Sequence, residues 1–450
     1  MFRSSRLVLL LIAAFMVFGL SFVACGGSNK ADNGGSTTTG GHPTPVAGPG
    51  VGQTVGVTDT SIKIGALLPL SQTTAAAWGV PIRAGMEAFV DYINDQGGIY
   101  GRKLELDVGD SQYTGPVASE TIRKLVEQDG IFALQGSLGT EAHLAVYQYL
   151  QEKGIPDMYI LTGDSVWTDP VSYNRFGYLV DYTDEGRILG RYIGQNFDGK
   201  KVGILIQNDG FGKEGEKGLK LGIADTGANV TFADTQQYDA TQTDVSAQIS
   251  RLKADGVDVV GFYGMPAQAS GGIKYARETL SWNVPFLITG VDAVEIVGAL
   301  TGYTDIDGTV SVVYGHQAYD LTWPGMQQFS DILKKYKPDQ PLDNLSLTGM
   351  AVTEMTVEGL RMAGQNLTRD AFLAATESLC SHEYRASFKG AGASMSPTDH
   401  RPIEAEIYVK ATGTSASDFH WAEFGDVMPF ETTKNCTAPT PPAGYDQQPH

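Results

Sequence analysis

Strands and helices alternate along most of this chain, and that alternation restricts its fold more than any other feature. Short apolar runs of strand length, such as Ser61–Leu68 and Val202–Ile206, each precede a segment whose apolar residues repeat at helical spacing. A strand–helix–strand order places successive strands parallel in one sheet and the helices on its faces. Because the pattern occurs twice, at about 61–161 and 200–288, the sequence predicts an α/β protein with two doubly wound parallel-sheet lobes and a cleft between them.

The segment Gln135–Thr140, with the sequence QGSLGT, joins a predicted buried strand at Ile131–Leu134 to a predicted helix. A loop with two glycines before a helix directs backbone N–H groups and a hydroxyl toward the carboxyl edge of the sheet, where anions bind well. On spacing alone, an ordinary strand–helix turn is an equally good interpretation. We therefore expect either a seat for a carboxylate at Thr140 or a plain turn.

The N-terminus has the pattern of an export signal. Arg3 and Arg6 precede an apolar run, Leu7–Phe22, that is shorter than the ~20 residues a membrane span needs. The segment ends in Ala24-Cys25, which resembles a bacterial lipobox. The sequence therefore predicts that residues 1–24 are a signal peptide. Lipidation of Cys25 would anchor the exported protein to the outer face of the bacterial cell membrane, or else the protein is periplasmic.

Residues 25–58 are dominated by Gly, Ser, Thr, Pro and Asn and contain few apolar side chains. Such a composition cannot bury a core, so it predicts a flexible tether between the lipid anchor and the folded body. The body of almost 400 residues is too long for a single core and is typical of two domains.

The net charge, the cysteines and the histidines indicate which partners and cofactors this protein is expected to lack. With 32 Lys and Arg against 51 Asp and Glu, the chain has a formal net charge of −19, which argues against a nucleic-acid partner. Cys380 and Cys436 remain once Cys25 is lipidated, and in an exported protein they are expected to form a disulfide. The seven histidines show no metal-ligand spacing, so we expect no metal and no cofactor.

Several ordered segments resemble the Leu/Ile/Val-binding family, the type I periplasmic binding proteins that serve ABC importers. They cover about Ser61 to Gly413 and read SIKIGALLPLS, AGMEAFVDYINDQGGIYGRKLEL, RKLVEQDGIFALQGSLGT, VGILIQNDGFGKEG, DVSAQISRLKADGVDVV and SPTDHRPIEAEIYV. The resemblance implies two lobes joined by three crossover segments that close on a small ligand by hinge motion. It implies a binding protein that is not an enzyme and whose partner is an ABC permease in the membrane.

The resemblance also implies lobe boundaries. Lobe 1 would comprise residues 59–177 and 319–401, and lobe 2 would comprise residues 178–318 and 402–450.

The resemblance places ligand-binding residues of the first lobe individually. The family's aromatic–glycine pair falls on Trp78-Gly79, and its carboxylate-binding hydroxyl falls on Thr140, with the backbone from Leu138 onward assisting. The next contact falls on Thr162 and Gly163, where the family's threonine is a glycine, so Thr162 or Ser165 would supply the hydroxyl. For Trp78, packing in the core is the alternative interpretation.

In the second lobe, Tyr263 falls near the family's aromatic contact, and Asp292 falls where amino-acid binders keep a carboxylate for the ligand's ammonium. Tyr182 and Tyr319 are weaker candidates near the crossings. For Asp292, a solvated loop position or a helix cap is an equal alternative. The resemblance therefore implies a small amino acid, branched-chain-like, or a related carboxylate, with aromatic or short organic acids as the alternative ligands.

One motif indicates a different class of protein. Gly210, Gly212 and Gly215 spell G-x-G-x-x-G after a predicted strand, and Asp234 follows near the next strand, as in dinucleotide-dependent oxidoreductases. Against this, three polar residues separate the strand from the first glycine, whereas the true fingerprint turns at once. A tethered sensor ectodomain is a third hypothesis, but no apolar segment after the body could carry a signal across a membrane. The sequence therefore favours a substrate-binding lipoprotein.

Overall fold

The structure is a computed structural model that describes residues 52–429 and 436–449. The predicted signal peptide, Cys25 and most of the predicted tether lie outside these residues. Within them, no helix combines the length and the apolar character that a membrane span requires.

The described residues form thirteen strands and thirteen α-helices. The strands are β1 Ser61–Leu68, β2 Lys103–Asp110, β3 Ala133–Gln135, β4 Asp157–Ile160, β5 Arg175–Gly177, β6 Lys201–Gln207, β7 Thr231–Phe232, β8 Gln236–Tyr238, β9 Val259–Tyr263, β10 Phe286–Ile288, β11 Val310–Val313, β12 Ala405–Thr412 and β13 His420–Pro429. The helices are α1 Ala76–Asp95, α2 Gly115–Lys124, α3 Thr140–Leu144, α4 Tyr147–Lys153, α5 Tyr182–Asn196, α6 Gly210–Thr226, α7 Ser246–Ala254, α8 Pro266–Lys274, α9 Glu295–Thr301, α10 Tyr303–Ile306, α11 Pro324–Tyr336, α12 Asn344–Ala363 and α13 Arg369–Glu377. Short 3₁₀ turns lie at Ser165–Trp167, Gly290–Asp292 and Tyr445–Gln447, and α2 and α8 each end in a π-helical turn, at Leu125–Asp129 and Tyr275–Thr279.

The strands form two sheets. The first has the order β2-β1-β3-β4-β5, and all of its pairings are parallel. The second has the order β13-β12-β11-β10-β9-β6-β7, with β8 also paired to β6. In each sheet the strand order reverses beside the first strand, which opens a crevice at the carboxyl ends of the strands. The predicted α/β class with two doubly wound sheets is confirmed.

The second sheet differs from the prediction in one respect, because it is mixed rather than wholly parallel. Strand β12 pairs antiparallel with β11, and β13 pairs antiparallel with β12. A loop of seven residues joins β12 to β13, and a connection that short allows only an antiparallel pair. The two strands therefore extend the sheet as a hairpin at its edge.

Each sheet with its helices forms one lobe. Helices α1, α11, α12 and α13 pack on one another, and α12 contacts β3 and β4 of the first sheet. Helices α5 and α6 pack together, and α6 contacts β6 and β9 of the second sheet. The chain therefore crosses between the lobes three times, within residues 178–181, 314–323 and 378–404. The boundaries predicted at 177/178, 318/319 and 401/402 lie at or within these intervals and remain a proposal.

The C-terminal tail departs from the predicted grouping. The resemblance implies that all of residues 402–450 belong to lobe 2, but the described tail, 436–449, contacts lobe 1. Tyr100 N–H donates to Gln448 Oε1 at 2.5 Å, and Tyr445 Oη donates to Glu358 Oε1 at 2.6 Å. The predicted Cys380–Cys436 disulfide is present and holds the start of the tail beside lobe 1. The disulfide and these two hydrogen bonds together hold the tail against the first lobe.

Helices α5 and α6 approach one another so closely that glycine is required at their contact. A Cβ atom on Gly186 would lie 2.6 Å from Gly215 O, and one on Gly190 would lie 2.2 Å from Leu219 O. On the opposite helix, a Cβ on Gly222 would lie 2.0 Å from Arg187 O. The two helices therefore pack backbone against backbone, and this contact fixes the position of α6 in lobe 2.

Candidate functional site

A pocket lies between the two lobes at the carboxyl ends of their strands. Its wall comes from the segments after β3, β4, β5, β10 and β11, together with α1, the start of α12 and a loop before β12. The lining residues are Trp78, Ile82, Leu138, Leu161, Tyr178, Leu179, Gly290, Val291, Ala293, Val294, Val313, Tyr314, Gly315, His316, Gln317, Asn344, Leu345, Leu347, Thr348, Tyr384 and Ala386. The pocket is thus in the place where α/β proteins bind ligands.

The wall of this pocket is mostly apolar and aromatic. Within the described part of the chain, no Lys, Arg, Asp or Glu lines it. The amide of Asn344 bonds to Gln317 Oε1 at 2.6 Å and to the carbonyl of Ala293 at 3.1 Å, so these polar groups satisfy one another. Burial lowers the pKa of His316, which favours its neutral form. The pocket therefore suits the uncharged, apolar part of a ligand.

Trp78 contributes to the pocket as expected, although it also packs in the core. It lies in the first turn of α1 and is 5% exposed. Its neighbour Gly79 has the carbonyl of Pro69 2.0 Å from the position that a Cβ would take, so no other residue fits there. This close approach brings the start of α1 against the end of β1 and sets the indole in the pocket wall.

The two predicted hydroxyls lie together. Thr140 is 2% exposed at the start of α3, and its Oγ1 is 2.6 Å from Thr162 Oγ1. Leu138 lines the pocket, but its N–H donates to the carbonyl of Leu67 at 3.0 Å. This N–H is therefore used within the sheet, where Leu138 also forms a β-bridge with Leu161. Assistance to a bound carboxylate from the backbone between Leu138 and Thr140 stays a prediction.

Gly163 is explained by packing. A Cβ atom there would lie 2.1 Å from Val180 O and 2.9 Å from Tyr182 Cδ1. Tyr182 N–H donates to Gly163 O at 2.8 Å, and the ring of Tyr182 lies 4.5 Å from that of Phe211 on α6. Tyr182 thus fills the space beside Gly163. Through these contacts, the end of the first crossing packs on both lobes. Tyr182 is a buried interlobe residue beside Thr162 and Gly163.

Asp292 carries a fully buried carboxyl group. It ends the 3₁₀ turn after β10, is 0% exposed, and neither carboxyl oxygen has a hydrogen-bond partner among the described residues. Val291 and Ala293 on either side of it line the pocket. Burial first, and then the nearby Glu185, raise the pKa of Asp292 well above its usual value. The alternatives of a solvated loop aspartate or a helix cap do not describe this side chain.

Glu185 is a charged neighbour that contributes to the raised pKa of Asp292. Its Oε1 accepts from Thr289 Oγ1 at 2.7 Å and from Gly290 N–H at 3.1 Å. These bonds favour its ionised form, while burial raises its pKa. A carboxylate held this way repels charge on Asp292.

Two of the predicted aromatic contacts lie elsewhere. Tyr263 ends β9, but its Cδ1 is 2.1 Å from where a Cβ on Gly215 would be, so its ring packs under α6 rather than in the pocket wall. Tyr319 is 45% exposed, and its ring lies 4.9 Å from that of His420. Both residues follow strands that end at the cleft. The ring of Tyr263, however, packs against Gly215 on α6, and Tyr319 lies on the surface.

The G-x-G-x-x-G motif has a packing role. A Cβ on Gly212 would lie 2.0 Å from Gln207 O, so the glycine allows α6 to start directly over β6. At the N-terminus of α6, Asp209 Oδ1 accepts from Gly212 N–H at 3.2 Å. A carboxylate thus occupies the position in which a dinucleotide site holds pyrophosphate, and these contacts argue against a bound nucleotide.

The lobes touch across the cleft beside α6. Ser165, from lobe 1, donates its N–H to Glu214 Oε2 at 2.9 Å and its hydroxyl to Glu214 Oε1. Tyr113 Oη, which follows β2, donates to Met265 Sδ at 3.3 Å. Burial raises the pKa of Glu214 to about 7, and Asp164 and Asp181 add to that rise. Ser165 therefore forms a contact between the lobes, and its hydroxyl is bonded to Glu214.

The sequence did not single out several lining residues. Tyr178, Tyr314 and His316 belong to the crossings, and Asn344 and Leu345 start α12. Tyr178, Tyr314 and His316 lie beside predicted crossings, and that place is their only sequence feature. Asn344 and Leu345 lie away from the predicted crossings and have no such feature. The motif-based expectations could not identify them.

Comparisons with known proteins agree with this architecture. A sequence profile of the family described as periplasmic binding protein matches residues 61–414. A Leu/Ile/Val-binding protein homolog 8 of Brucella abortus (strain 2308) is 25% identical over 332 residues, which cover 71% of this chain and 80% of that protein. A fatty acid ABC transporter substrate-binding protein from Thermomonospora curvata has a TM-score of 0.73 at 21% identity, with 88% and 99% of the two chains covered. A branched chain amino acid ABC transporter structure from Thermus thermophilus with bound valine has a TM-score of 0.70 at 18% identity, with 82% and 97% covered.

Proposed function

This chain belongs to the periplasmic binding protein family, and from that premise we propose that it is the substrate-binding lipoprotein of an ABC importer. It captures a small solute between its lobes by hinge closure and delivers it to a membrane permease. The family carries no catalytic centre, and the chain is a binding protein rather than an enzyme. The Brucella relative and the two structural neighbours bear names of the same kind.

The proposed ligand is a small amino acid with a branched-chain-like side chain, or a related carboxylate. The observation that carries this proposal is the buried Asp292, which has no hydrogen-bond partner within residues 52–429 and 436–449 and follows a residue that lines an apolar pocket. A buried carboxyl group gains most from a positively charged partner, and the pocket next to it accommodates an apolar side chain. The proposed ligand-binding residues are Trp78, Leu138, Thr140, Thr162, Gly163 and Asp292.

A screen of amino acids and carboxylic acids by thermal shift tests this function. A ligand that binds only the folded protein is expected to raise the melting temperature in proportion to the logarithm of its concentration. Small-angle scattering of the same mixture should show a smaller radius of gyration, since closure brings the lobes together. If compounds bind without any change in dimensions, capture by hinge closure is excluded.

Aromatic or short organic acids are the second candidate class. Trp78, Tyr178 and Tyr314 give the pocket an aromatic wall, which favours a flat ring. Including benzoate and phenylacetate in the screen separates the classes, because an aromatic acid would bind without an ammonium group.

Anchoring by Cys25 is testable independently of the ligand. Replacing Cys25 with Ala should move the protein from the membrane fraction to the soluble fraction, because it removes the thiol that carries the lipid. The variant should retain the melting temperature of the wild type, since the tether separates Cys25 from the body. A Cys25→Ala variant that stays with the membranes would contradict the lipoprotein assignment.

A further inference from the structure

We infer that three tyrosines, one from each crossing between the lobes, bind a hydroxyl group at the end of the ligand's apolar body. They are Tyr178 in the first crossing, Tyr314 in the second and Tyr384 in the third, and all three line the pocket. Together they are the tyrosine cluster. The inference rests on the proposed solute-binding function and narrows its ligand class to compounds that carry an uncharged hydroxyl group remote from their charged end.

The first observation is that the tyrosine cluster is already assembled in the pocket wall. The rings of Tyr178 and Tyr314 pack edge to face with their centroids 6.0 Å apart. The second and third crossings are joined beside them, because the N–H of His316 donates to the carbonyl of Ala386 at 2.8 Å. Tyr178 and Tyr384 are buried, at 1% and 5% exposed. A ligand in the pocket therefore meets hydroxyl groups that the protein already holds in place.

The second observation is the hydrogen-bonding capacity of the tyrosine cluster. Burial first, and then Tyr384 and Tyr314, raise the pKa of Tyr178 well above its usual value, so the hydroxyl groups lie near one another and stay protonated. One hydrogen bond between two hydroxyls uses one proton, so such a pair keeps a proton to donate and lone pairs that accept. A ligand hydroxyl both donates and accepts, and it therefore matches this pair.

The third observation concerns the other polar side chains of the wall. The amide of Asn344 donates to Gln317 Oε1 at 2.6 Å, and the Thr348 hydroxyl donates to the carbonyl of Asn344 at 2.8 Å. No Lys, Arg, Asp or Glu among the described residues lines the pocket. A charged group at the end of the ligand would therefore be buried there without a counter-charge, which costs much free energy. The tyrosine hydroxyls, in contrast, suit a neutral oxygen.

Two pairs of compounds that differ by one hydroxyl group test the inference. Free phenylalanine and free tyrosine share an amino-acid end, and 3-phenylpropanoate and 3-(4-hydroxyphenyl)propanoate share a carboxylate end. Their flat ring suits the aromatic wall that Trp78 and the tyrosine cluster provide. Calorimetry on the full folded protein should show, in whichever pair binds, about fivefold tighter binding of the hydroxyl compound. A carboxylate in place of that hydroxyl, on the same skeleton, should weaken binding about a hundredfold.

The double variant Tyr178→Phe with Tyr384→Phe removes two hydroxyls and keeps both rings, so neither hydroxyl can replace the other. It should bring the ratio of affinities within the pair from about five to about one. The control is Tyr192→Phe, since Tyr192 packs against Tyr408 and Phe424 and does not line the pocket. It should leave the ratio at about five. A general loss of structure would weaken both members of a pair together, so the ratio isolates the hydrogen bond.

The inference is wrong if neither pair binds, if the hydroxyl compounds bind no more tightly than their parents, or if the double variant keeps the ratio at about five. These results leave the proposed function standing when any compound of the wider screen binds with closure of the lobes. The proposed function itself fails only when no compound in that screen does so.

Discussion

Replacing Gly222 with Ala is expected to lower the free energy of unfolding by about 3 kcal/mol, which is the upper end of the usual cost of overpacking. The added Cβ would lie 2.0 Å from Arg187 O and 2.8 Å from Arg191 N, and both contacts are to the backbone of α5. A flexible side chain could move aside, but a helix backbone cannot. The two helices would have to separate, and lobe 2 would lose much of their contact.

Urea denaturation followed by circular dichroism measures this loss. The matched control is Gly271→Ala, another glycine within a helix, at which an added Cβ meets no atom within 4 Å. That variant should gain up to about 1 kcal/mol, because alanine favours the helix over glycine. If Gly222→Ala is as stable as its control, the backbone contact between α5 and α6 is not as close as described.

The periodicity of the sequence was enough to predict the class of fold. Apolar runs such as Ser61–Leu68 and Val202–Ile206 became β1 and the greater part of β6, because a strand buried on both faces needs an uninterrupted apolar run. Strands β12 and β13 escaped prediction as separate elements. The edge strand β13 buries few side chains, so its composition resembles that of a loop.

The candidate site was predicted only in part, since side-chain direction depends on distant packing. The resemblance placed Thr140 and Thr162 individually, and the two hydroxyls lie together because the residues follow neighbouring strands of one sheet. Tyr263 ends β9, a strand that leads to the cleft, but its side chain packs under α6. That packing requires a glycine at position 215, which belongs to a different element. No local pattern records such a contact.

The glycine motif shows why a short pattern misleads. Gly210, Gly212 and Gly215 have the spacing of a dinucleotide fingerprint, but each lies against a protein group, namely Asp164 Oδ2, Gln207 O and the ring of Tyr263. Because glycine has no side chain, its backbone can approach a phosphate closely, and for the same reason it can approach a neighbouring strand. The polar residues that precede the first glycine were the correct discriminating feature.

The contact between Glu214 and Ser165 gives ligand binding a predicted pH dependence. With Glu214 bonded to Ser165, burial first and then Asp164 and Asp181 raise the pKa of Glu214 from a usual 4.5 to about 7. In the proposed hinge motion, separation of the lobes exposes this carboxyl group to water, and its pKa falls toward 4.5. Closure therefore takes up a proton between these values. The advantage of the closed state is complete below about pH 4.5 and is lost as the pH rises through about 7.

Replacing Glu214 with Gln should remove this dependence and strengthen ligand binding at pH 8 by about tenfold. A neutral amide still accepts a hydrogen bond from the Ser165 N–H, without the cost of burying a charge. The expected change in affinity is smaller than the full pKa difference would give, because part of the Glu214 side chain is in contact with solvent. Titration calorimetry between pH 5 and 8 measures the effect as a ratio of variant to wild-type affinity, so titration of Asp292 or of the ligand cancels. The control Glu120→Gln, at an exposed position on α2, should leave the ratio at one at every pH. A ratio for Glu214→Gln that stays constant across this range would mean that Glu214 does not bind a proton when the lobes close, because only a group whose pKa differs between the open and closed states can make closure depend on pH.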